Sequence, residues 1–485
     1  MAQKLEQDDS GESEPRSVAE NAGGSELLRN SRDQPLAMAE LGTETSLAQT
    51  SIRGLSGSAA PSSPLPDGGW RAWMSVLAGF LSIMNTWGSI ISFGVFQTYY
   101  VTNLNRPPSD ISWIGSIAVF FLFAGGTVTG RLTDAGYFHH VTILGAALVV
   151  LGTFMTSISK TYWQVLLAQG LCVGLGNGSL QTPMMVVIAT YFGKKLPLAF
   201  GIAACGSVTG GLVFPSMART LLPTVGFGWT MRAIGFIQLG TLAIAVSSAR
   251  PRLEPKKHGS FLDWTAFRET DFSLFTVGCF MVSVGCNAQG GPSVRITNLR
   301  CKSFMGVFFG FFFLSSYARD IQGMHYTESV NLLLILNGVG FVARMLPSLL
   351  SRYFGTVNTF FALLFGSQMA MFTWIAVYST SGLYVWTIYY SLVIGGVQSL
   401  APAAVSSFSP DLQRLGSRMG MVFGVIGVGA LIGSPIAGVL ISALDGSYVG
   451  AQAFAGTSLA VGCAFVFAAK EVARRKNNAS LWTKM

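Results

Sequence analysis

Charge is scarce in this chain. Only 11% of its 485 residues are Asp, Glu, Lys or Arg, half are hydrophobic, and the mean hydropathy is +0.50. Soluble domains carry about a quarter charged residues, so the deficit excludes one and points to a polytopic membrane protein. Paired cysteines are missing as well. Cys172, Cys205, Cys279 and Cys463 fall inside apolar runs and no CxxC occurs, which argues for buried thiols and against disulfides or a metal site. No His, Cys, Asp or Glu cluster falls within the apolar runs, so neither an intramembrane enzyme nor a cofactor is expected. The chain start also lacks a basic stretch followed by an apolar one, so no cleavable signal peptide is expected and the first span directs insertion.

The charge that is present is split. Residues 1–66 hold ten acids against five bases, and the remainder holds 26 bases and 12 acids. Residues 1–66 are rich in Ser, Glu, Gly and Asn, contain no apolar run and end in PSSPLP, the pattern of a disordered cytosolic tail. A basic membrane body reflects cytosolic loops facing anionic lipid, so the pI near 9.3 does not imply nucleic-acid binding.

Apolar runs of about 20 residues, the length needed to cross a bilayer, recur at 73–98, 111–130, 141–158, 163–190, 197–218 and 229–248. A charged linker, 249–271, follows, and the runs resume at 272–317, 329–350, 357–378, 383–405, 417–443 and 449–469 before a basic tail, 470–485. The expected fold is all-α, with twelve transmembrane helices in two six-helix bundles at 67–248 and 272–469. Positive charge supports the count: alternate connections hold Arg131, Lys194, Lys195, five bases of the linker, Arg352, Arg414 and Arg418, against Arg106, Lys160, Arg219 and Arg319 on the other side. Both termini are then cytosolic. The seventh block is interrupted at 285–303 by Gly-Gly-Pro, Arg295, Arg300 and Lys302. Two crossings there would move every later basic loop outside, so one span split by an insertion is preferred; retained non-coding sequence, a genuine loop and a re-entrant segment stay open.

Val330–Ser351 carries one full charge, Arg344, in an otherwise apolar run. A guanidinium in mid-membrane costs roughly 2.5–3.5 kcal/mol on insertion scales, so it usually faces a cavity or a partner. It lies six residues before Leu350, about 9 Å along a helix, so snorkelling to the headgroups is the alternative. Asn337, nearly two turns earlier on the same face, favours a cavity wall. Further candidate contacts are polar or aromatic residues on apolar spans: Asn85 and Trp87 in span 1; Asn177 and Gln181, with Gln169, on one face of span 4; Tyr390 and Gln398 in span 10. Each amide equally suits plain interhelical hydrogen bonding.

Three stretches resemble the major facilitator superfamily, in its fungal monocarboxylate-transporter-like branch. Asp67–Trp73, DGGWRAW, is similar to the acidic-Gly-Gly-Trp-x-x-Trp signature at the entrance to span 1. Residues 191–215, YFGKKLPLAFGIAACGSVTGGLVFP, resemble the span 5 motif, with Lys194 and Lys195 at its cytosolic end. Gly130–Gly136 looks like a worn form of the G-x-x-x-D loop, which makes Gly130, Asp134, Lys194 and Lys195 gating candidates. Tyr137 and Phe138 stand where that loop's basic pair is expected. The Gly-rich run ending at Pro215 is echoed by the one after Arg418 ending at Pro435, as a parallel repeat of two halves requires.

The resemblance implies a secondary transporter working by alternating access in a fungal plasma membrane. The implied cargo is a small organic acid or organic metabolite, including an exported secondary metabolite. Proton-coupled animal members resemble one another in a basic residue within span 1 and an acid one turn before the span 8 arginine; here Ile91 and Gly340 take those places. All twelve acids beyond residue 66 and all four histidines lie in loops or at span ends, which favours facilitated diffusion or exchange over symport. A non-transporting sensor, or a carrier inactivated by the span 7 insertion, is the competing reading. Expected partners are the small-molecule substrate and the bilayer; an accessory subunit is left open.

Overall fold

Runs this apolar satisfy their backbone within a bilayer only as helices or closed barrels, and helix is what they form here. The computed structural model describes residues 67–106, 108–252, 266–284, 321–409, 411–443 and 449–476, with Trp264, Leu314, Tyr317 and Ala318; all belong to the unit Leu65–Met485. The expectations for 1–66 and 285–303 lie outside these residues.

In chain order the described helices are α1 (Trp70–Asn103), α2 (Pro108–Asp134), α3 (Phe138–Ile158) and α4 (Tyr162–Tyr191). Leu196–Ser248 then forms two rods that meet at Gly226, φ 77°, here named α5 (196–225) and α6 (227–248). They are followed by α7 (Thr270–Val284), α8 (Tyr326–Phe354), α9 (Thr356–Trp374), α10 (Thr380–Ser407), α11 (Leu415–Ala443) and α12 (Val449–Lys476). Eight described helices, counting Leu196–Ser248 once, are long and apolar enough to cross a membrane.

Three boundaries differ from expectation. No loop separates spans 5 and 6: the helix runs through Arg219 and Pro223, and the chain turns only at Gly226, whose positive φ suits a residue without a Cβ. Helix α4 contains a π-helical turn, Leu166–Cys172. The final helix reaches Lys476, taking in seven residues of the expected tail, where Glu471 pairs with Arg474 and Arg475.

The 28 residues of α10 span about 42 Å at 1.5 Å per residue, so its ends mark the two ends of the bundle. Past its last turn, the Phe408 carbonyl accepts from Arg418, which pairs with Glu269 just before α7. Ahead of its first turn, the Val377 carbonyl accepts from the Tyr317 hydroxyl and from Gln322. Glu269, just before α7, and Tyr317 therefore sit at opposite ends. The Phe408 end also gathers Asp67, Asp134, the 192–195 turn, Arg252, Arg352 and Lys476 and is the basic end. Opposite lie Arg106, Lys160 and Arg219, joined by Arg232, which the charge pattern had left uncounted and whose guanidinium stacks 5.0 Å over Trp229.

Two seams join α1–α6 to α7–α12: α2 with α11, and α5 with α8. In the first, Gly130 faces the Gly416 carbonyl and Gly420 faces the Gly126 carbonyl so closely that a Cβ at either would collide with backbone. In the second, Gly201 approaches Ser348 and Gly211 approaches Asn337.

Candidate functional site

The α5–α8 seam is where Arg344 sits. Its side chain is buried at 4% exposure and bends toward the preceding turn, away from Leu350 and the nearer membrane edge. Nη1 donates to the Gly340 carbonyl at 2.9 Å, and Nη2 donates to Oε1 of Gln398, from α10, at 2.8 Å. Gly340 leaves the guanidinium its room, since a Cβ there would stand 2.7 Å from Nη1. Nε is buried with no hydrogen-bond partner among the described residues, and no described carboxylate lies within ion-pair distance of Arg344. Among the described residues the cation therefore meets neutral acceptors only, and the Nε–Nη2 edge is the pair of donors that a carboxylate binds side-on.

Around it, the Asn337 Oδ1 lies 3.1 Å from where a Gly211 Cβ would stand, and the Ile91 Cδ1 lies 2.9 Å from the same point. Cys205 of α5 points its thiol at the Phe341 carbonyl, 3.9 Å away. The structure thus brings together Arg344 and Gln398, with Asn337 one to two turns along the seam. Trp87 of α1 stands edge-on to Phe123 of α2 at 6.0 Å, and Phe123 stands edge-on to Phe423 of α11 at 6.0 Å, so Trp87 reaches the other seam through a ring ladder. Gln181 accepts from Thr86 of α1 at 3.3 Å.

The remaining candidates have different surroundings. Asn85 donates to Thr241 of α6 at 2.8 Å. Tyr390 is fully buried in a face-to-face stack with Trp386, 5.0 Å and 6°, which continues to Trp374. Asn177 borders a small cavity among α1, α2, α3, α4 and α6.

The gating candidates lie at the basic end. Asp134 closes α2 and receives three donors from the start of α11: the Gly416 N–H at 3.0 Å, the Ser417 N–H at 2.7 Å and the Ser417 hydroxyl at 2.8 Å. A carboxylate is favoured at a helix N-terminus, where unpaired N–H groups carry partial positive charge. Gly130 lets Gly416 approach. Lys194 and Lys195 act chiefly through their backbone: with Gly193, their N–H groups donate to the Asp67 carboxylate at 2.6–3.3 Å, and the Lys195 charge adds to them. Partial burial works to raise the Asp67 pKa, but these donors outweigh it and hold the carboxyl below its usual range.

Glu269 was not singled out in the sequence, yet it receives both Nη atoms of Arg418, at 3.1 and 2.6 Å. The available signal was Arg418 itself, a cation opening an apolar run, with an acid directly before the span that starts the second group of helices.

Helices of this length and polarity, two glycine-packed seams and, in one of them, a buried cation with no counter-charge among the described residues define a polytopic membrane transporter. Residues 76–410 match the Major Facilitator Superfamily, and the chain belongs to that family. It is 48% identical over 410 residues to an MFS-type transporter of Gibberella zeae, covering 84% of this chain and 88% of that protein. It is 33% identical over 417 residues to the Aspyridones efflux protein apdF of Emericella nidulans, covering 85% and 80%. The fold matches the crystal structure of the human organic anion transporter MFSD10 (TETRAN) with a TM-score of 0.58 at 12% identity, over 82% of this chain and 99% of that one.

Proposed function

We propose that this transporter moves a small organic anion or organic-acid metabolite by alternating access, with export of a biosynthetic product as its direction, and that Arg344 engages the charge of the cargo. One observation carries this reading: among the described residues, the buried guanidinium is met only by neutral oxygens and its Nε has no partner. An isolated charge in a low-dielectric bundle is costly, and an anionic cargo compensates it. Gln398 fixes the guanidinium plane, and Asn337, Trp87 and Gln181 offer polar and aromatic contact near the seams. Asn85 and Tyr390 serve packing in this reading, and Asn177 borders the small cavity away from the seams. The efflux role in the name of the Emericella relative supports export. Membership of the monocarboxylate-transporter-like branch is supported by DGGWRAW and residues 191–215.

The basic end faces the cytosol by the positive-inside rule, both termini lie there, and the plasma membrane is the site of action. Two bundles, 67–248 and 272–469, are joined by the 249–271 linker, and 285–303 is an insertion within one crossing. Asp134 and Gly130 form the cytosolic gate, and the Lys194–Lys195 turn anchors α5 to Asp67. No acid faces Arg344 among the described residues, and this supports facilitated movement or exchange.

Uptake and efflux of labelled organic acids and their neutral analogues, in cells at two external pH values, tests the reading. Flux of an anion that falls in Arg344→Gln and does not follow the pH gradient is expected. Equal flux in both proteins at equal surface abundance contradicts the role of Arg344. Deleting 285–303 separates the inactive-carrier reading, which requires flux to appear only in the deleted form.

A further inference from the structure

A second polar feature lies within α1–α6, apart from the Arg344 seam. Ser89 of α1, Thr153 of α3, Gln169 and Asn177 of α4, and Met231 and Gln238 of α6 border a cavity of about 30 Å³. Most of its polar walls are paired. The Thr153 hydroxyl donates to Gln238 Oε1 at 2.7 Å, Gln238 Nε2 donates to the Ser89 hydroxyl at 2.9 Å, and Gln169 Oε1 accepts from the Tyr100 hydroxyl at 2.7 Å.

Asn177 is the exception. It is fully buried, and neither Nδ2 nor Oδ1 has a hydrogen-bond partner among the described residues. An amide with both groups unpaired is among the more costly things to place in an apolar bundle. Its occupant has to accept from Nδ2 and donate to Oδ1, which a hydroxyl-type molecule does. The space holds about two waters, at about 10–15 Å³ each. The π-helical turn Leu166–Cys172 carries Gln169 into the same cavity wall, and such turns are frequent at functional sites.

We infer that this cavity is a built water site, in which one or two exchangeable waters satisfy the Asn177 amide. They link α4 to the Ser89–Gln238–Thr153 chain that crosses α1, α6 and α3. One turn further along α4, Gln181 bonds directly to Thr86 of α1. The waters and this bond together register α4 against α1, the helix that carries Trp87 toward the α2–α11 seam.

X-ray radiolytic labelling of the full chain in nanodiscs, without cargo, tests this, because water held in a protein generates hydroxyl radicals where it sits. Met231 is only 4% exposed, and Met371 and Met419 are fully buried elsewhere. The expected result is oxidation of Met231 several-fold faster than of Met371 and Met419, falling to their level in Asn177→Leu. Labelling of Met231 no faster than of the other two overturns the inference on the wild-type protein alone, whatever the variant does. Unchanged Met231 labelling in folded Asn177→Leu overturns it too. The melting temperature gives an independent sign: Asn177→Leu lowers it if it removes water-bridged bonds and raises it if it merely fills a dry void, which contradicts the site.

Discussion

The two seams between the halves are built from the same materials and do different things. In the α2–α11 seam, glycines on both helices press backbone to backbone at the basic end, and Asp134 caps α11 with three hydrogen bonds. In the α5–α8 seam, Gly201 and Gly211 provide similar closeness, but the middle is interrupted by a cation with no described counter-charge. A seam whose polar groups are all paired has one low-energy arrangement and holds. A seam with an unpaired charge stays incomplete until something joins it. On the function proposed above, the first serves as a latch and the second as a recognition surface.

The largest effect comes from giving the second seam the completeness of the first. Gln398→Glu puts a carboxylate where the Gln398 Oε1 lies 2.8 Å from Arg344, so the internal pair competes with cargo. Apparent affinity for an anionic cargo should fall by roughly tenfold or more, about 1.4 kcal/mol or above, at normal abundance. Unchanged affinity would show that the guanidinium does not face cargo.

Opening the latch comes next. In Gly130→Leu the new side chain meets the Gly416 carbonyl, and the basic end cannot close. Thr127, whose hydroxyl donates to the Gly420 carbonyl at 3.0 Å, reports on it. Thr127→Cys, in a chain without its native cysteines, should react with an impermeant maleimide from the basic side far faster when Gly130→Leu is added. Asp134→Asn should raise the same rate by less, because it removes the charge but leaves an acceptor; losing a charged hydrogen bond costs about 1.5–3 kcal/mol. Rates equal to the parent in both would dismiss the latch.

The smallest effect concerns Asp67. Its pKa is held below the usual carboxylate value, so its stabilisation is full above the unfolded-state pKa and is lost as pH falls through the lower folded-state one. Asp67→Asn should therefore lower the melting temperature slightly at neutral pH, with the gap to wild type closing only in strongly acidic buffer. A gap that persists there would mean that the carboxylate charge is not what anchors the 193–195 turn.

Much of this was legible in the sequence. Long apolar runs allow only helices in lipid, so span positions followed from hydropathy, and Arg344 stood out because charge is rare in such runs. The difference between the seams was not legible, because glycine spacing is alike in both and only the fold reveals which glycine meets which carbonyl. The shared face of Gln169, Asn177 and Gln181 assumed regular 100° steps; the π-helical turn breaks that register, and Gln181 bonds to Thr86 while the other two border the cavity. The break in the apolar runs at 219–228 suggested a loop, but helices tolerate Arg219 and Pro223 there, and only Gly226 breaks the geometry. Tyr390 is polar by composition and aromatic by use, which a period-based reading does not separate.

The most direct measurement is transport by purified protein in proteoliposomes, comparing carboxylate cargoes with their neutral methyl esters in wild type, Arg344→Lys and Arg344→Gln. Wild type should move a carboxylate in preference to its ester, Arg344→Lys should retain part of that preference, and Arg344→Gln should lose the carboxylate flux while keeping a normal melting temperature. Carboxylate flux in a well-folded Arg344→Gln protein equal to that of wild type would contradict the assignment of the α5–α8 seam as the cargo site.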